Sequence, residues 1–552
     1  MDEWSRERIA ARILAGDTLI IYHGHLLSIP QKWLEAHPGG ELALLHFVGR
    51  DASAEIEANH LDHTLNLIPK YSIGRVQLTD GIWEPFLPPI ATGWVRRIGP
   101  AGNRVWFKEA TEALSNQDSH FCPSSSVLLV PNDPRAIQPS GPTLASLIPP
   151  PSTLSLKQQA RHEQAWRELH KRVTAAGLYN TRYITGYGPE LVRYTLLALL
   201  SIYFYSRSWF ITSAVFLGLF WHQLVFSAHD LGHMGVTHNW TADRIIATII
   251  ADFIGGLSIG WWVQNHNVHH LVTNHPSHDP DIEHIPFFAI TPAFLDSLWS
   301  SYYKRTMAFD WFSRIALSVQ HKLFYIIMAF ARFNLYVNSY TFLYQKSFDT
   351  KRARGGNWAW RLEIIGLLFF WTWFGRVLYG CGSWQMALAY LLVSHAVTSP
   401  LHIQIVLSHY SMPTGDLGPV ESFPHRQMRT TTDVICDPSI EFIHGGLHLQ
   451  VTHHLFPRLP RHNLRRASVL VKEFAEEQGL TYAEFGFVDG NREVLNTLKN
   501  VADQIKIMGK VAKDEAKEAL DKKMAAKDAK NGFANGNGAY HPNSNGVLKK
   551  LT

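Results

Sequence analysis

Four long apolar runs interrupt an otherwise polar chain, and their spacing sets the expected architecture. Residues 191–205 and 209–226 are separated only by Ser206-Arg207-Ser208, and residues 364–379 and 384–407 only by a turn at Gly380-Cys381-Gly382-Ser383. A bilayer core about 30 Å thick needs roughly 20 helical residues, so each pair predicts a hairpin of spanning helices, the first helix needing interfacial extension. A hairpin returns the chain to the side it left, so whatever follows either hairpin lies on one face. Three further apolar stretches, 245–263, 286–299 and 324–340, contain Asp252, Asp296 and Arg332 respectively. A charge inside an apolar run predicts an interfacial or cap helix in preference to a span.

The flanks read differently. Residues 1–80 alternate short helical and strand-like runs around His37-Pro38-Gly39-Gly40 and predict a small compact domain. Prolines recur over 81–152, ending in Ile148-Pro149-Pro150-Pro151-Ser152, with no sustained period, which predicts irregular or partly disordered chain. Residues 154–176 are charged and helix-favouring and belong outside the bilayer. After Pro457 the chain is soluble again, and from about Lys510 the dominance of Lys, Ala, Asp, Asn and Gly predicts a disordered tail. The expected units are therefore 1–80, a linker with an amphipathic segment over 81–185, a membrane domain over 186–500, and a tail over 501–552.

Composition sharpens this picture in three ways. The formal charge of +5 is spread over 552 residues and partly concentrated in the lysine-rich tail, so it points to a lipid surface and not to nucleic acid. Cys122, Cys381 and Cys436 are too widely spaced for a zinc ribbon or a disulfide framework, which fits reduced thiols facing the cytosol. The polar start, Met1-Asp2-Glu3-Trp4-Ser5, predicts no cleavable secretory signal, leaving insertion to the internal runs. Mean hydropathy near zero averages soluble ends with an apolar middle.

The candidate chemistry lies in three histidine clusters beside the apolar runs: His229-Asp230-Leu231-Gly232-His233, His266-Asn267-Val268-His269-His270, and Gln450-Val451-Thr452-His453-His454. Histidines three or four residues apart share one face of a helix, so each cluster can aim two or three imidazoles at one point. Seven imidazoles exceed the needs of one ion, which favours a two-metal centre of iron, copper, nickel or zinc. The first cluster lacks the glutamate of a zinc-hydrolase His-Glu-x-x-His, although a zinc hydrolase and a metal-transport path remain alternatives of another class.

His37-Pro38-Gly39-Gly40, Gly49-Arg50-Asp51-Ala52-Ser53 and His60 together resemble the haem-binding core of the cytochrome b5 family, a small α+β fold. The resemblance implies a haem b held by His37 and His60, with His63 as the competing second ligand. Bis-histidine ligation fills both axial positions, so such a haem carries electrons and does not bind oxygen. An NADH-cytochrome b5 reductase is the implied donor. Ile56 replaces the family's usual aromatic, and Leu26-Leu27-Ser28-Ile29 lacks its usual Tyr-Asp pair.

The order of haem module, hairpin, two histidine boxes, second hairpin and Gln-x-x-His-His box resembles the front-end membrane fatty acid desaturases. The stretch Phe442-Ile443-His444-Gly445-Gly446-Leu447 through His453-His454-Leu455-Phe456-Pro457 looks most like the fungal sphingolipid delta-8 members. The resemblance implies an all-α integral membrane domain with two hairpins and a cytosolic histidine-rich cap. His229, His233, His266, His269, His270, His453 and His454 become ligands of two non-haem irons that activate O2. His409, at the end of the last spanning helix, becomes an eighth ligand, and Gln450 marks the front-end family and binds iron weakly or through water. Asp279 and Asp281 are expected to orient ligand imidazoles. The implied substrate is the long-chain base of a sphingolipid or ceramide in the bilayer. A front-end acyl desaturase and a di-iron lipid hydroxylase are the alternatives on the same scaffold. Lys549-Lys550-Leu551-Thr552 resembles a dilysine retrieval signal, which implies a multi-pass endoplasmic-reticulum protein with both termini and the boxes cytosolic.

Overall fold

A computed structural model describes residues 2–99, 102–109, 140–349 and 355–534. Cys122 and the Lys549-Lys550 pair lie outside the described residues. The N-terminal module is a four-stranded sheet, β1 (Glu3–Trp4), β2 (Leu19–Tyr22), β3 (His25–Ser28) and β4 (Ser72–Val76), in the order β1-β4-β3-β2. Strand β1 runs parallel to β4, and the other pairs are antiparallel. The Arg6–Ala15 helix packs Ile9, Ala10 and Ile13 on this sheet, capped by Ser5 at its start and by Gly16 (φ 104°) at its end.

Within the proline-rich segment, residues 94–98 and 104–108 form regular structure that its composition does not predict. Strands β5 (Trp94–Ile98) and β6 (Arg104–Lys108) form an antiparallel hairpin. The last carbonyls of a helix lack intrahelical donors, and here the hairpin supplies two: Arg96 Nη1 donates to Ala15 O at 2.7 Å and Trp106 Nε1 to Leu14 O at 2.9 Å. A Cβ on Gly16 would overlap the Arg96 guanidinium, so only glycine admits this crossing.

In the membrane domain, Gly188–Ser206 pairs with Phe210–Gly232, and Gly356–Tyr379 with the consecutive helices Trp384–Ala396 and Ser399–Tyr410. Phe210–Gly232, Gly356–Tyr379 and Trp384–Tyr410 are long and apolar enough to cross a bilayer; Gly188–Ser206, which carries Glu190 in its first turn, is not among them. Leu191, Leu199, Ile202, Ile365 and Leu368 project from these helices uncovered by protein, as lipid-facing side chains do.

The charge-interrupted stretches depart from expectation. Instead of one interfacial helix, 245–263 holds two segments, Trp240–Ile254 and Ile259–Leu271, that meet at 113°. Backbone freed by such a break must find partners away from water, and side chains provide them. Trp221 Nε1 donates to Ile254 O at 3.0 Å, Trp373 Nε1 to Phe253 O at 3.0 Å, Arg332 Nη2 to Gly255 O at 2.6 Å, and the Tyr340 hydroxyl to Gly256 O at 3.0 Å. The Glu363 carboxylate accepts from Arg244 Nη2 at 2.6 Å, Gly260 N at 3.1 Å and Ser258 Oγ at 2.5 Å, and Asp252 accepts from Ile259 N at 3.3 Å. Arg332 and Asp252 are thus buried parts of the bend. The 324–340 stretch breaks at Phe330 into Gln320–Ala329 and Ala331–Ser347, and 286–299 forms only one 3-10 turn, Pro292–Asp296, because Pro286 and Pro292 deny it helical hydrogen bonds.

The stretch after Lys510, expected to be disordered, continues the Phe487–Ala534 helix. Val494, Leu498, Val501 and Ile505 bury one face of its first half against Phe294 and Leu407, Lys499 pairs with Asp503 on the exposed face of that half, and the Lys522–Glu518 pair, also four residues apart, supports the solvated remainder.

The Glu363 contacts generate a stability prediction. Glu363→Ala leaves Arg244 and the Gly260 N–H without their acceptor and should cost about 3–5 kcal/mol. Thermal unfolding of the detergent-solubilised protein should show a lower midpoint, and Arg244→Met with Glu363→Met together should recover part of the loss.

Candidate metal centre and haem site

Four elements bring the histidines together. His229 lies in the last turn of Phe210–Gly232 and His233 caps it; His266, His269 and His270 share the inner face of Ile259–Leu271; His409 ends Ser399–Tyr410; His453 and His454 lie on the short Gln450–Leu455 helix. All eight imidazoles are buried, none more than 9% exposed. They divide into two groups. One nitrogen each from His229, His233, His266 and His453 falls within 4.8 Å of the others, and the same holds for His269, His409 and His454. His270 sits between, its Nε2 3.1 Å from those of both His266 and His453 and its ring stacked 4.1 Å from His454. The His269 and His409 Nε2 atoms approach to 3.3 Å.

These separations suit a shared ion. Two nitrogens about 2.1 Å from one metal, subtending about 100°, lie about 3.2 Å apart. The outward nitrogens have acceptors that set the tautomer: His269 Nδ1 lies 3.0 Å from Asp279, His454 Nδ1 2.9 Å from Gln427 Oε1, and His409 Nδ1 3.3 Å from Thr430 O. A proton held outward leaves the inward lone pair free. His233 Nε2 and His454 Nε2 are buried with no hydrogen-bond partner among the described residues, as ligand atoms awaiting a cation would be. Burial, then the positive charge His229 and His233 would carry, holds His453 well below the usual imidazole range. The neutral form that binds metal is therefore favoured at His453, whereas at His269 burial is outweighed by the Asp279 and Asp281 carboxylates, which raise the imidazole to about 9.

Asp281 Oδ2 lies 3.7 Å from both His266 Nδ1 and His269 Nδ1, beside the cluster. His275 pairs with Asp416 and His278 bonds Ser301, while His238 bonds Tyr179 O and His444 bonds Gln404. The hydrogen bonds of these four go to groups outside the eight rings. Sequence reasoning missed the clamp that joins the first and third boxes. Asp230 Oδ2 accepts from Tyr187 at 2.7 Å and from Arg461 Nη1 at 2.8 Å, and the same Arg461 nitrogen donates to Phe226 O at 2.7 Å. Its signal was present: Asp230 lies inside the first box and Arg461 seven residues beyond the third.

At the haem site His37 and His60 face each other, ring centroids 6.0 Å apart. Two iron–nitrogen bonds of about 2 Å plus two imidazole half-widths of about 1.1 Å span a similar gap. His37 Nδ1 bonds Gly40 O at 3.1 Å and His60 Nδ1 bonds Ile56 O at 2.9 Å, which turns both Nε2 atoms inward. Burial, then His60, lowers His37 to about 4, again favouring the neutral ligand form. His63 is exposed on the Asp62–Leu65 helix. The module is seated on the membrane domain: Leu42 packs with Val268 and Val272, and Ala54 and Ala58 pack with Leu455 and Phe456. A Cβ on Gly39 would lie 3.3 Å from Asn267 Nδ2, so the His37 turn rests against the helix that carries the second box.

A cavity of about 760 Å³ opens from the histidines. His229, His266, His409 and Gln450 form one wall, and Trp221, Leu224, Ile326, Leu335 and Leu401 line the apolar remainder. Gln450 is buried there, and its Oε1 has no hydrogen-bond partner among the described residues.

Comparison with known proteins accounts for this arrangement. The family described as fatty acid desaturase matches residues 206–486, and the cytochrome b5-like haem/steroid binding domain matches residues 5–77. The chain is 43% identical to a delta 8-(E)-sphingolipid desaturase of Emericella nidulans, over 94% of this chain and 97% of that one. It is 42% identical to the protein of the same name from Komagataella phaffii, over 91% and 94%. A delta(8)-fatty-acid desaturase of Arabidopsis thaliana is 35% identical over 61% and 75%. The helical domain that gathers the eight imidazoles and the haem module packed on it therefore make this chain a member of the fatty acid desaturase family, with a cytochrome b5-like domain at its N-terminus.

Proposed function

We propose that this chain introduces a double bond, with E geometry, at the Δ8 position of the long-chain base of a sphingolipid. The observation that carries the reading is the largely apolar cavity of about 760 Å³ whose one wall is built from the histidine cluster, in a chain that matches fungal delta 8-(E)-sphingolipid desaturases over nearly its whole length. The enzyme is an O2-dependent membrane lipid desaturase.

In this reading His229, His233, His266 and His453 hold one iron, His269, His409 and His454 a second, and His270 lies between them. Bound iron supplies the O2-derived oxidant that unactivated methylenes require and no side chain provides. The protein's part is to hold neutral imidazoles with inward lone pairs, to lay the chain along the metal wall and to exclude water from it. Gln450 presents an amide oxygen to the same cavity and tunes that wall. Desaturation yields two electrons where O2 reduction to water needs four, so an outside donor must supply two. The module with His37 and His60 is the electron-transfer unit, and a cytochrome b5 reductase is its donor.

Both hairpins, the first including Gly188–Ser206, cross the endoplasmic-reticulum membrane, leaving the histidine-rich cap and both termini in the cytosol. The units are a haem module over 1–80, a linker and amphipathic segment over 81–185 whose β5–β6 hairpin packs back on that module, and a membrane domain that begins at 186 and runs past residue 500 into the Phe487–Ala534 helix, whose Val501 and Ile505 belong to its core.

Yeast lacking this unsaturation should accumulate Δ8-unsaturated long-chain bases when it expresses the chain, and His453→Ala should lower that product at least a hundredfold. Mass spectrometry that found hydroxylated bases, or new double bonds only in fatty acyl chains, would sink the reading. The purified protein should contain two non-haem irons per haem, and Arg461→Ala, which frees the Asp230 clamp, should weaken iron binding about 10–100-fold by metal titration. His37→Ala should abolish the low-spin haem difference spectrum while leaving non-haem iron in place.

A further inference from the structure

The chamber holds two acceptors that the metal chemistry does not use. Glu283 is 2% exposed and lines the cavity. Its Oε2 accepts from Ser300 Oγ, and its Oε1 has no hydrogen-bond partner among the described residues. Asn265 lines the same cavity; its Nδ2 donates to Asp281, which fixes the amide so that the equally unpartnered Oδ1 is the free end. Buried acceptors without donors are costly and uncommon in native proteins. Glu283 Oε1 and Asn265 Oδ1, two such acceptors in a largely apolar chamber that the unpartnered Gln450 Oε1 also lines, are explained by a ligand that brings donors. A carboxyl keeps an accepting oxygen whether or not it is ionised.

Lipid substrates differ in this respect. A long-chain base carries an amine or amide nitrogen beside hydroxyl groups, all donors, at the end from which its double bond is counted. An esterified acyl chain offers only acceptor oxygens at its carbonyl. The position of Glu283 fits the donor-rich end. The cavity lining also includes Arg305, an exposed residue of the Arg305–Thr306 strand that pairs antiparallel with Trp299–Ser300, the strand holding the Ser300 that bonds Glu283.

We propose that Glu283 anchors the substrate head group, accepting through Oε1 from the nitrogen or a hydroxyl of the long-chain base, with Asn265 Oδ1 as a second acceptor beside the metal wall. The inference rests on the sphingolipid reading above and adds to it the residue that selects this class and sets the distance from head group to metal. Amine and amide nitrogens share the donor chemistry, and the test separates them.

Microsomes containing the full-length chain would be given NADH and either labelled N-hexanoyl dihydrosphingosine or labelled free dihydrosphingosine with N-acylation blocked. Glu283→Ala should raise KM roughly tenfold, the effect of one lost hydrogen bond, and should spread the double bond to positions neighbouring Δ8. Ser300→Ala should leave the position unchanged. Glu283→Gln should stay within a few-fold of wild type on the amide but lose roughly tenfold or more on a charged amine. On the substrate side, at least one of the N-methyl, 1-deoxy and 3-deoxy analogues should lose roughly tenfold with the wild-type chain and nothing further with Glu283→Ala.

A Glu283→Ala protein with normal haem and iron, wild-type KM and one product position would overturn the anchor while leaving the sphingolipid reading intact. Indifference of the wild-type chain to all three analogues would do the same without any variant. Wild-type activity confined to acyl lipids would instead overturn the reading on which the anchor rests.

Discussion

The arrangement depends on one bend, satisfied from the side. Where the Trp240–Ile254 segment turns through 113° into Ile259–Leu271, backbone carbonyls and amides leave their helical partners in surroundings that offer no water. Arg332, Tyr340, Trp221 and Trp373 take the carbonyls, and Glu363 and Asp252 take the amides. Without those partners each freed group would carry its full desolvation cost. With them the turn is a fixed joint, and it delivers the helix that bears three of the eight imidazoles. The donors come from helices far apart in sequence, so the bend also ties the two hairpins to each other.

A second constraint acts at the cluster itself. Eight imidazoles within a few ångströms cannot all be charged, and burial makes each charge still costlier. The structure meets this by giving the rings two ends with different partners. One carboxylate, an amide oxygen and a backbone carbonyl receive the outward N–H of His269, His454 and His409 respectively, and the inward lone pairs converge. The Asp230–Arg461 pair extends the same logic to the scaffold. It closes the first box against the third with a buried charge pair whose remaining donors and acceptors reach Tyr187 and Phe226 O.

How far this could be read in the chain follows from the range of each interaction. Box spacing was legible because His266, His269 and His270 need only helical periodicity to share a face. Hairpins were legible because short turns leave apolar runs little choice. The misreadings all concern partners supplied from a distance. Arg332 and Asp252 looked like charges that keep a helix out of the membrane, yet each is paired with backbone that only the folded bend exposes. The proline-rich segment shows no period, and its β5–β6 hairpin is held by the open end of the Arg6–Ala15 helix. The stretch after Lys510 has the composition of a disordered tail, but it continues a helix nucleated upstream by Val494, Leu498 and Val501 in the core.

The seating of the haem module changes what fusion accomplishes. A flexible tether alone raises local concentration and leaves each encounter to diffusion. Here Leu42 packs on Val268 and Val272, Leu271 enters the module's own core, and Arg458 donates to Ala58 O at 3.3 Å. These contacts come from the outer face of the second-box helix and from the segment just after the third box. His269 and Val268 are adjacent residues about 100° apart around one helix, so the metal-binding face and the haem-docking face share a backbone. A displacement that opened the ligand set would therefore also disturb the docking surface, and a module shifted on that surface would press on the ligands. The 113° bend thus sets the metal geometry and the seat of the electron-transfer unit together, because both belong to the helix it aims.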